Sequence, residues 1–428
     1  MYQDFSRRGF VLGSAAAALA SGPAAVRSLG ANGKINVAFI GAGSRGYYAM
    51  ERLYRGSEGL IEVTAVCDTY SGNVKRGLER VKTMGGNTAK SYVDYREILQ
   101  DPSVDAVFIM TPEHLHHPMT MAAIKARKHI YVEKPIAHTI EEGAEIVKAA
   151  EKSGKVLQVG TQNRSNPLYQ KAKEMIEQGM IGEVHYVRAF WYRNFPSGTT
   201  PAPWRYVIPG DTNESNTDWA KFLGPAPKRP FDKNRYFQWR NYWDYSGGIS
   251  TDLLVHQTDI SNYVLNKTVP VSCMASGGRY VWGAPDDREA PDTLSAIYEY
   301  SDKFHLNYSC YFGNDQFGYG EQFMGYEGTI EVLNRSELNF YPQKFGGKPP
   351  ARVAARKELH MPKDITMDNV SVERHIRNFL EAIQGKAKAI APATVGQIAA
   401  IPGHLATLSY RKDKKIYWDA TTEKYRFS

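Results

Sequence analysis

The run Ile35-Asn36-Val37-Ala38-Phe39-Ile40-Gly41-Ala42-Gly43-Ser44-Arg45-Gly46 limits what this chain can fold into more than any other stretch. The apolar residues predict a buried strand, and the G-x-G-x-x-G after them predicts a tight turn into a helix over Tyr47–Tyr54. Gly41 permits the turn, Gly43 lets the backbone approach a pyrophosphate, and Gly46 lets the helix pack closely on the strand. A phosphate there would meet unpaired N–H groups and the positive end of the helix dipole. Glycine-rich turns are common, so context decides. Ile61–Cys67 reads as a second strand ending in Asp68, 22 residues past Gly46. That is close to the ~20 at which an acid holds the adenosine ribose. Strand, glycines and acid together point to a dinucleotide site.

The rest of the first third alternates. Helices are expected at Val74–Met84, His117–Ala126 and Ile140–Ser153, and strands at Val104–Met110, His129–Val132 and Val156–Val159. Such alternation predicts a Rossmann-type, doubly wound parallel sheet over residues 31–160. From 161 to 428 the texture changes. Consecutive short strands with hairpin spacing predict an α+β domain with a large, mostly antiparallel open sheet and C-terminal helices. Between the domains' main elements lies a long loop, Asn194–Tyr245, whose tryptophans argue for order. A length of 428 residues accommodates both domains.

Composition narrows the function classes. A net charge of +8 comes without a Lys/Arg run long enough for a nucleic-acid tract, and it suits an anionic cofactor. Three cysteines are too few for a disulfide framework. Cys67 reads as a small apolar residue, and a Cys273–Cys310 bridge stays open. Residues 1–30 carry Ser6-Arg7-Arg8-Gly9-Phe10-Val11-Leu12 and then an alanine-rich run. Paired arginines before a modest apolar stretch predict a twin-arginine export signal and a periplasmic destination.

Three stretches offer chemistry. Glu133-Lys134-Pro135 follows a sheet strand, at the end where ligands bind in parallel sheets. A lysine there can relay protons, and Pro135 can pin the turn through a cis bond. Asp252 and His256 are four apart on a predicted helix, Ile249–Leu265, and so share a face. A carboxylate that orients an imidazole and raises its pKa makes a base for a hydroxyl proton; the spacing fits a helix-capping Asp and a core His equally well. Thr111-Pro112-Glu113-His114-Leu115-His116-His117 holds three histidines, but the spacing matches no common zinc pattern and no metal is expected. It reads instead as a strand-end loop beside a nicotinamide.

Taken together, Gly41–Gly46, Thr111-Pro112…His116, Glu133-Lys134-Pro135 and Gly248…Asp252…His256 resemble the Gfo/Idh/MocA oxidoreductases, relatives of glucose–fructose oxidoreductase and inositol dehydrogenase. The resemblance covers nearly the whole chain after residue 30 and is strongest for an exported subgroup. It implies NAD as cofactor, with NADP open because of Arg45 and Lys75, and tight retention of it in an exported enzyme. It implies a sugar or polyol substrate and a dimer or tetramer. Lys134, Asp252 and His256 match the catalytic trio. Gly41, Gly43, Ser44, Arg45, Gly46, Asp68, Thr111, Pro112, His116, Glu133, Lys134 and Gln162 match the cofactor site. Arg164, Arg240, Asp252 and His256 match substrate contacts. Glu113 departs from the Asn or Asp common in its loop. Two alternatives belong to the same resemblance: an NAD-dependent glycosidase or lyase that oxidises its sugar transiently, and a non-catalytic sugar-binding relative.

Overall fold

The computed structural model describes residues 33–194, 204, 206–284 and 286–428. The twin-arginine segment and part of the long loop lie outside the described residues. The first sheet contains β1 (Ile35–Ile40), β2 (Ile61–Cys67), β3 (Lys90–Tyr92), β4 (Ala106–Ile109), β5 (His129–Val132) and β6 (Leu157–Val159), in the order β3-β2-β1-β4-β5-β6. Every pairing is parallel. The two-residue period of a strand sends alternate side chains to opposite faces. Accordingly Ala38 and Ile40 enter one core, while Ile35, Val37 and Phe39 enter the other. Both faces are covered, which is why β4 reads as an uninterrupted apolar run.

Part of that cover comes from the far end of the chain. The helix Met367–Ile383 contributes Val372, Ile376, Phe379 and Leu380 to the core on the Phe39 side. Phe379 meets Phe108 edge-on, with ring centroids 5.6 Å apart. The helix Ala393–Lys412 adds Ala393 and Ala400 to the opposite core. The C-terminal helices therefore belong as much to the nucleotide-binding domain as to the second one.

The second sheet has ten strands: β7 (Val184–Tyr192), β8 (Ser272–Gly278), β9 (Thr293–Glu299), β10 (His305–Tyr311), β11 (Tyr319–Gly325), β12 (Gly328–Leu333), β13 (Glu337–Pro342), β14 (Leu359–His360), β15 (Ile416–Asp419) and β16 (Lys424–Phe427). Their order is β14-β13-β12-β11-β7-β10-β9-β8-β15-β16. It is antiparallel except for the central β7–β10 pair. One face packs on helices. The other is bare: in β9, Leu294, Ala296 and Tyr298 are buried while Ser295, Ile297 and Glu299 are exposed. The predicted single helix Ile249–Leu265 is a π turn, Ser250–Leu254, continued by an α-helix, Val255–Leu265. Cys67, Cys273 and Cys310 are buried free thiols, so no Cys273–Cys310 bridge forms.

Candidate active site

The cleft between the sheets, about 1130 Å³, opens at the carboxyl ends of the parallel strands. After β1, Gly41 sits at φ +94°, and a Cβ there would lie 2.8 Å from the Met110 backbone. A Cβ on Gly46 would lie 2.0 Å from the Gly41 carbonyl oxygen. Both glycines are demanded by the fold. Gly43 is not: a Cβ there meets nothing nearer than Asn73 Nδ2 at 3.7 Å. The helix Ser44–Gly56 starts here with no side-chain cap and no acid in its first turn. The open space at Gly43 and the uncapped helix N-terminus fit a phosphate cradle.

Asp68, at the end of β2, lines the cleft but is saturated by protein donors. Oδ2 accepts from Ala42 N at 2.8 Å and Asn73 Nδ2 at 3.2 Å; Oδ1 accepts from Tyr70 N and Tyr236 OH, both at 2.9 Å. Four donors fill the roughly four lone-pair sites of a carboxylate. A ribose hydroxyl must displace one of them. Burial still pushes the Asp68 pKa up. Tyr236 comes from the long aromatic loop, which crosses to the first domain at several points. Thr217 bridges Tyr70, Asp218 N donates to Thr69 O at 2.7 Å, and His114 Nε2 meets Phe222 O at 2.8 Å.

After β5, Glu133 accepts from Arg45 Nε at 2.7 Å. Lys134, before a cis Pro135, reaches across to the second domain. Its Nζ donates to Asp252 Oδ1 at 2.8 Å and to the Asp252 carbonyl at 2.5 Å. Arg240 Nε donates to the same Oδ1 at 3.1 Å. Burial opposes ionisation of Asp252, but Arg240 and Lys134 outweigh it and hold the carboxyl far below its ordinary pKa. The expected Asp252–His256 couple does not form, because the carboxylate is claimed by the two cations. His256 Nδ1 is buried without a partner. Burial, then Lys134 and Arg335, push its pKa well down, not up as the spacing suggested. The imidazole is therefore neutral.

Several anticipated ligand contacts are packing elements instead. Arg164 does not line the cleft; its guanidinium forms a buried pair with Asp259, Nε to Oδ1 at 2.9 Å and to Oδ2 at 3.0 Å. His116 lies between two carbonyls, Nδ1 to Pro135 O at 2.7 Å and Nε2 to Thr111 O at 2.9 Å, so it ties the two strand-end loops together. Thr111 and Pro112 line the cleft, as do Gly41, Gly43, Ser44, Arg45, Glu133, Lys134, Gln162, Arg240, Asp252 and His256. The unusual Glu113 is buried and accepts from Ser246 Oγ at 2.7 Å, Gly247 N at 3.1 Å and Thr251 Oγ1 at 2.8 Å. It anchors the π turn that carries Asp252. With His117 Nε2 on Glu145 Oε2 at 2.9 Å, the three histidines of the loop serve separate partners. Among the described residues no group of three His, Cys, Asp or Glu is placed to hold a metal ion. Gln162 and Trp191 also line this cleft, and Gln162 Oε1 and Trp191 Nε1 are buried without a hydrogen-bond partner among the described residues. Sequence reasoning missed Trp191, Tyr206 and Arg335 as lining residues. Only the alternation of β7 could have flagged Trp191.

Residues 35–161 match the family described as "Oxidoreductase family, NAD-binding Rossmann fold", and residues 227–417 and 170–278 match two forms of its "C-terminal alpha/beta domain". The chain belongs to the Gfo/Idh/MocA oxidoreductases. Among curated Gfo/Idh/MocA relatives, levoglucosan dehydrogenase of Pseudarthrobacter phenanthrenivorans is 27% identical over 264 residues, 60% of each chain. Inositol 2-dehydrogenase/D-chiro-inositol 3-dehydrogenase of Lactiplantibacillus plantarum is 32% identical over 151 residues, 35% of this chain and 42% of that one. The chain spans about half the length of the curated relatives it matches. Among solved structures, levoglucosan dehydrogenase in complex with NADH and levoglucosan superposes with a TM-score of 0.68 at 19% identity, covering 89% of this chain and 98% of that one. An NAD binding oxidoreductase from Klebsiella pneumoniae gives 0.65 at 20% identity, covering 89% and 98%. These likenesses establish the shared Gfo/Idh/MocA fold.

Proposed function

We propose that this protein is an NAD-dependent dehydrogenase that oxidises a secondary hydroxyl of a sugar or polyol. The observation that carries this is the meeting, in one cleft, of the Gly41–Gly46 cradle with Lys134, Asp252 and His256 from two domains. The dinucleotide would lie along Gly43, Ser44, Arg45, Thr111, Pro112 and Gln162, and when bound it supplies the hydride acceptor. The chain supplies the rest. Neutral His256 takes the hydroxyl proton. Asp252, fixed as an anion, holds Lys134 and Arg240 as donors toward substrate oxygens. Asp68 disfavours a 2′-phosphate at its end of the cleft, which supports NAD over NADP.

Curated relatives named for inositol and levoglucosan support a carbohydrate substrate. An enzyme exported with its cofactor would keep that cofactor bound through turnover. That favours, as a second reading, transient sugar oxidation with no net redox change. Arg7 and Arg8 support export to the periplasm through the twin-arginine machinery. The bare sheet face, with Ile297, Tyr311 and Met274 exposed, supports a homo-oligomer.

The test is a spectrum of the purified protein with NAD and a panel of sugars and polyols. Absorbance gained at the wavelength of reduced nicotinamide on adding a polyol supports the dehydrogenase. Release of nitrophenol from a nitrophenyl glycoside without that gain supports the second reading. A protein that binds no nicotinamide dinucleotide refutes both.

A further inference from the structure

The β12–β13 hairpin turns on Asn334 and Arg335, at φ +50° and +56°. Two consecutive left-handed residues make the turn type in which glycine is the usual second residue, because other L side chains rarely adopt that conformation. Here the second position is an arginine. The turn is held from outside: Asn166 Nδ2 donates to the Arg335 carbonyl at 3.0 Å, and Ser336 N donates to Leu333 O at 2.9 Å. A strained residue retained against a better fit is a place to look for function.

The side chain of Arg335 enters the cleft and is 8% exposed. It lies 5.1 Å from the Trp191 ring centroid and 5.2 Å from that of Tyr319, two rings stacked at 4.4 Å. Among the described residues its carboxylate partner is Asp368, 42% exposed, reached by Nη1 at 3.1 Å. Nε and Nη2 are buried and have no hydrogen-bond partner. Those two donors form one edge of the planar guanidinium, the fork that matches the two oxygens of a carboxylate or phosphate. A buried guanidinium with an idle fork is an incomplete arrangement. Nearby, Lys134 and Arg240 share the carboxylate of Asp252. His256 stands on the same indole, its ring centroid 6.0 Å from that of Trp191. His256 and Arg335 therefore both lie against Trp191.

We propose that Arg335 is a specificity-determining residue that binds an anionic substituent, carboxylate or phosphate, on the substrate sugar, so that the preferred substrates are sugar acids or sugar phosphates and not neutral polyols. This rests on the dehydrogenase reading for the position of the hydroxyl, but the binding of the anion stands on Arg335 alone. The guanidinium swings its Nε–Nη2 edge from the aromatic pair toward the incoming anion and keeps Nη1 on Asp368.

The test is calorimetric binding to the full chain loaded with NADH, using matched pairs: D-glucuronate, D-galacturonate and D-glucose 6-phosphate, each against its neutral hexose. A bidentate charged contact predicts that at least one anion binds about tenfold or more tightly than its neutral partner. Arg335→Gly suits the left-handed backbone, so the variant keeps its fold, verified by a cooperative melt and unchanged NADH affinity. In it the anion advantage collapses toward one, and Arg335→Lys, with charge but no fork, restores only part of it. The uronates against the phosphate tell which anion is meant. If every anion binds no better than its neutral partner, or if Arg335→Gly weakens neutral and anionic ligands equally, the proposal is overturned. Turnover of the same pairs with NAD separates the two readings. Anion binding without hydride transfer defeats the dehydrogenase and leaves the anion site standing, while turnover of neutral hexoses alone does the reverse.

Discussion

Replacing Asp252 by Asn tests the charge triangle at the heart of the site. The amide keeps the shape of the carboxylate but removes the charge that Lys134 and Arg240 share. Both cations then remain in place, with side chains 10% and 21% exposed. Removing one partner of a buried ion pair costs about 3–5 kcal/mol. Partial access of Arg240 to water argues for the lower end, about 3 kcal/mol. With an unfolding entropy of about 2.1 cal/mol/K per residue, a chain of this length changes by roughly 0.9 kcal/mol per degree. The expected fall in Tm is therefore about 3 °C, read by calorimetry without ligand. Arg240→Gln alone should cost less. The double variant should lose less than the two single losses added together, by about 1 kcal/mol or more, because the second change removes a cation that the first left stranded. Additive losses, or an Asp252→Asn protein that melts with the wild type, would refute the assignment of Asp252 as counter-ion to both.

Other outcomes follow from the same geometry. His256→Ala and Lys134→Ala should each lower kcat by at least about 100-fold, as expected for loss of a general acid–base group, and leave NADH affinity within a few-fold; full activity in both would remove them from the chemistry. Gly43→Ala should leave Tm unchanged and weaken NADH binding, whereas Gly46→Ala should cost about 1–3 kcal/mol of stability, because its Cβ would strike the Gly41 carbonyl. Because the His256 pKa lies well below its ordinary value, kcat/KM for oxidation should show no acid limb near pH 6.5. Burial also lowers His375 to about 4. A histidine depressed in the folded state gives stability above its unfolded pKa and loses it as pH falls below about 6.5, some 2 kcal/mol by pH 5. Thermal melts of His375→Gln should therefore fall less between pH 7.5 and 5 than those of the wild type, by about 2 °C, and an equal fall would contradict the burial argument.

Local sequence carried the nucleotide-binding half almost entirely. Period-two apolar runs, the spacing of three glycines and an acid after the second strand are short-range signals, and they placed the sheet, the cradle and the strand ends. The family resemblance placed Glu133, Lys134 and His256 on one cleft. It could not say what those groups bond to. Asp252 and His256 share a helix face by count, yet a π turn and two cations from elsewhere in the chain separate them. Arg164 has the composition of a substrate ligand and is spent on Asp259, 95 residues away. Asp68 has the position of a ribose acid, but Tyr236, distant in the chain, competes for it.

Short strands such as β13, β15 and β16 also went unread, since four to six residues pair only because a neighbouring edge is already present. The assignment of the C-terminal helices was incomplete for a related reason. An amphipathic pattern says that a helix must bury one face, not which sheet receives it. By itself the sequence determined the elements of the parallel sheet, the glycine-rich turn and the residue types at the strand ends, because those depend on neighbours a few positions away. The tertiary structure alone decided which charges are paired, which polar atoms stay unpaired and that Arg335 reaches the cleft. Those outcomes depend on contacts between residues tens to hundreds of positions apart, and on burial that no local window records.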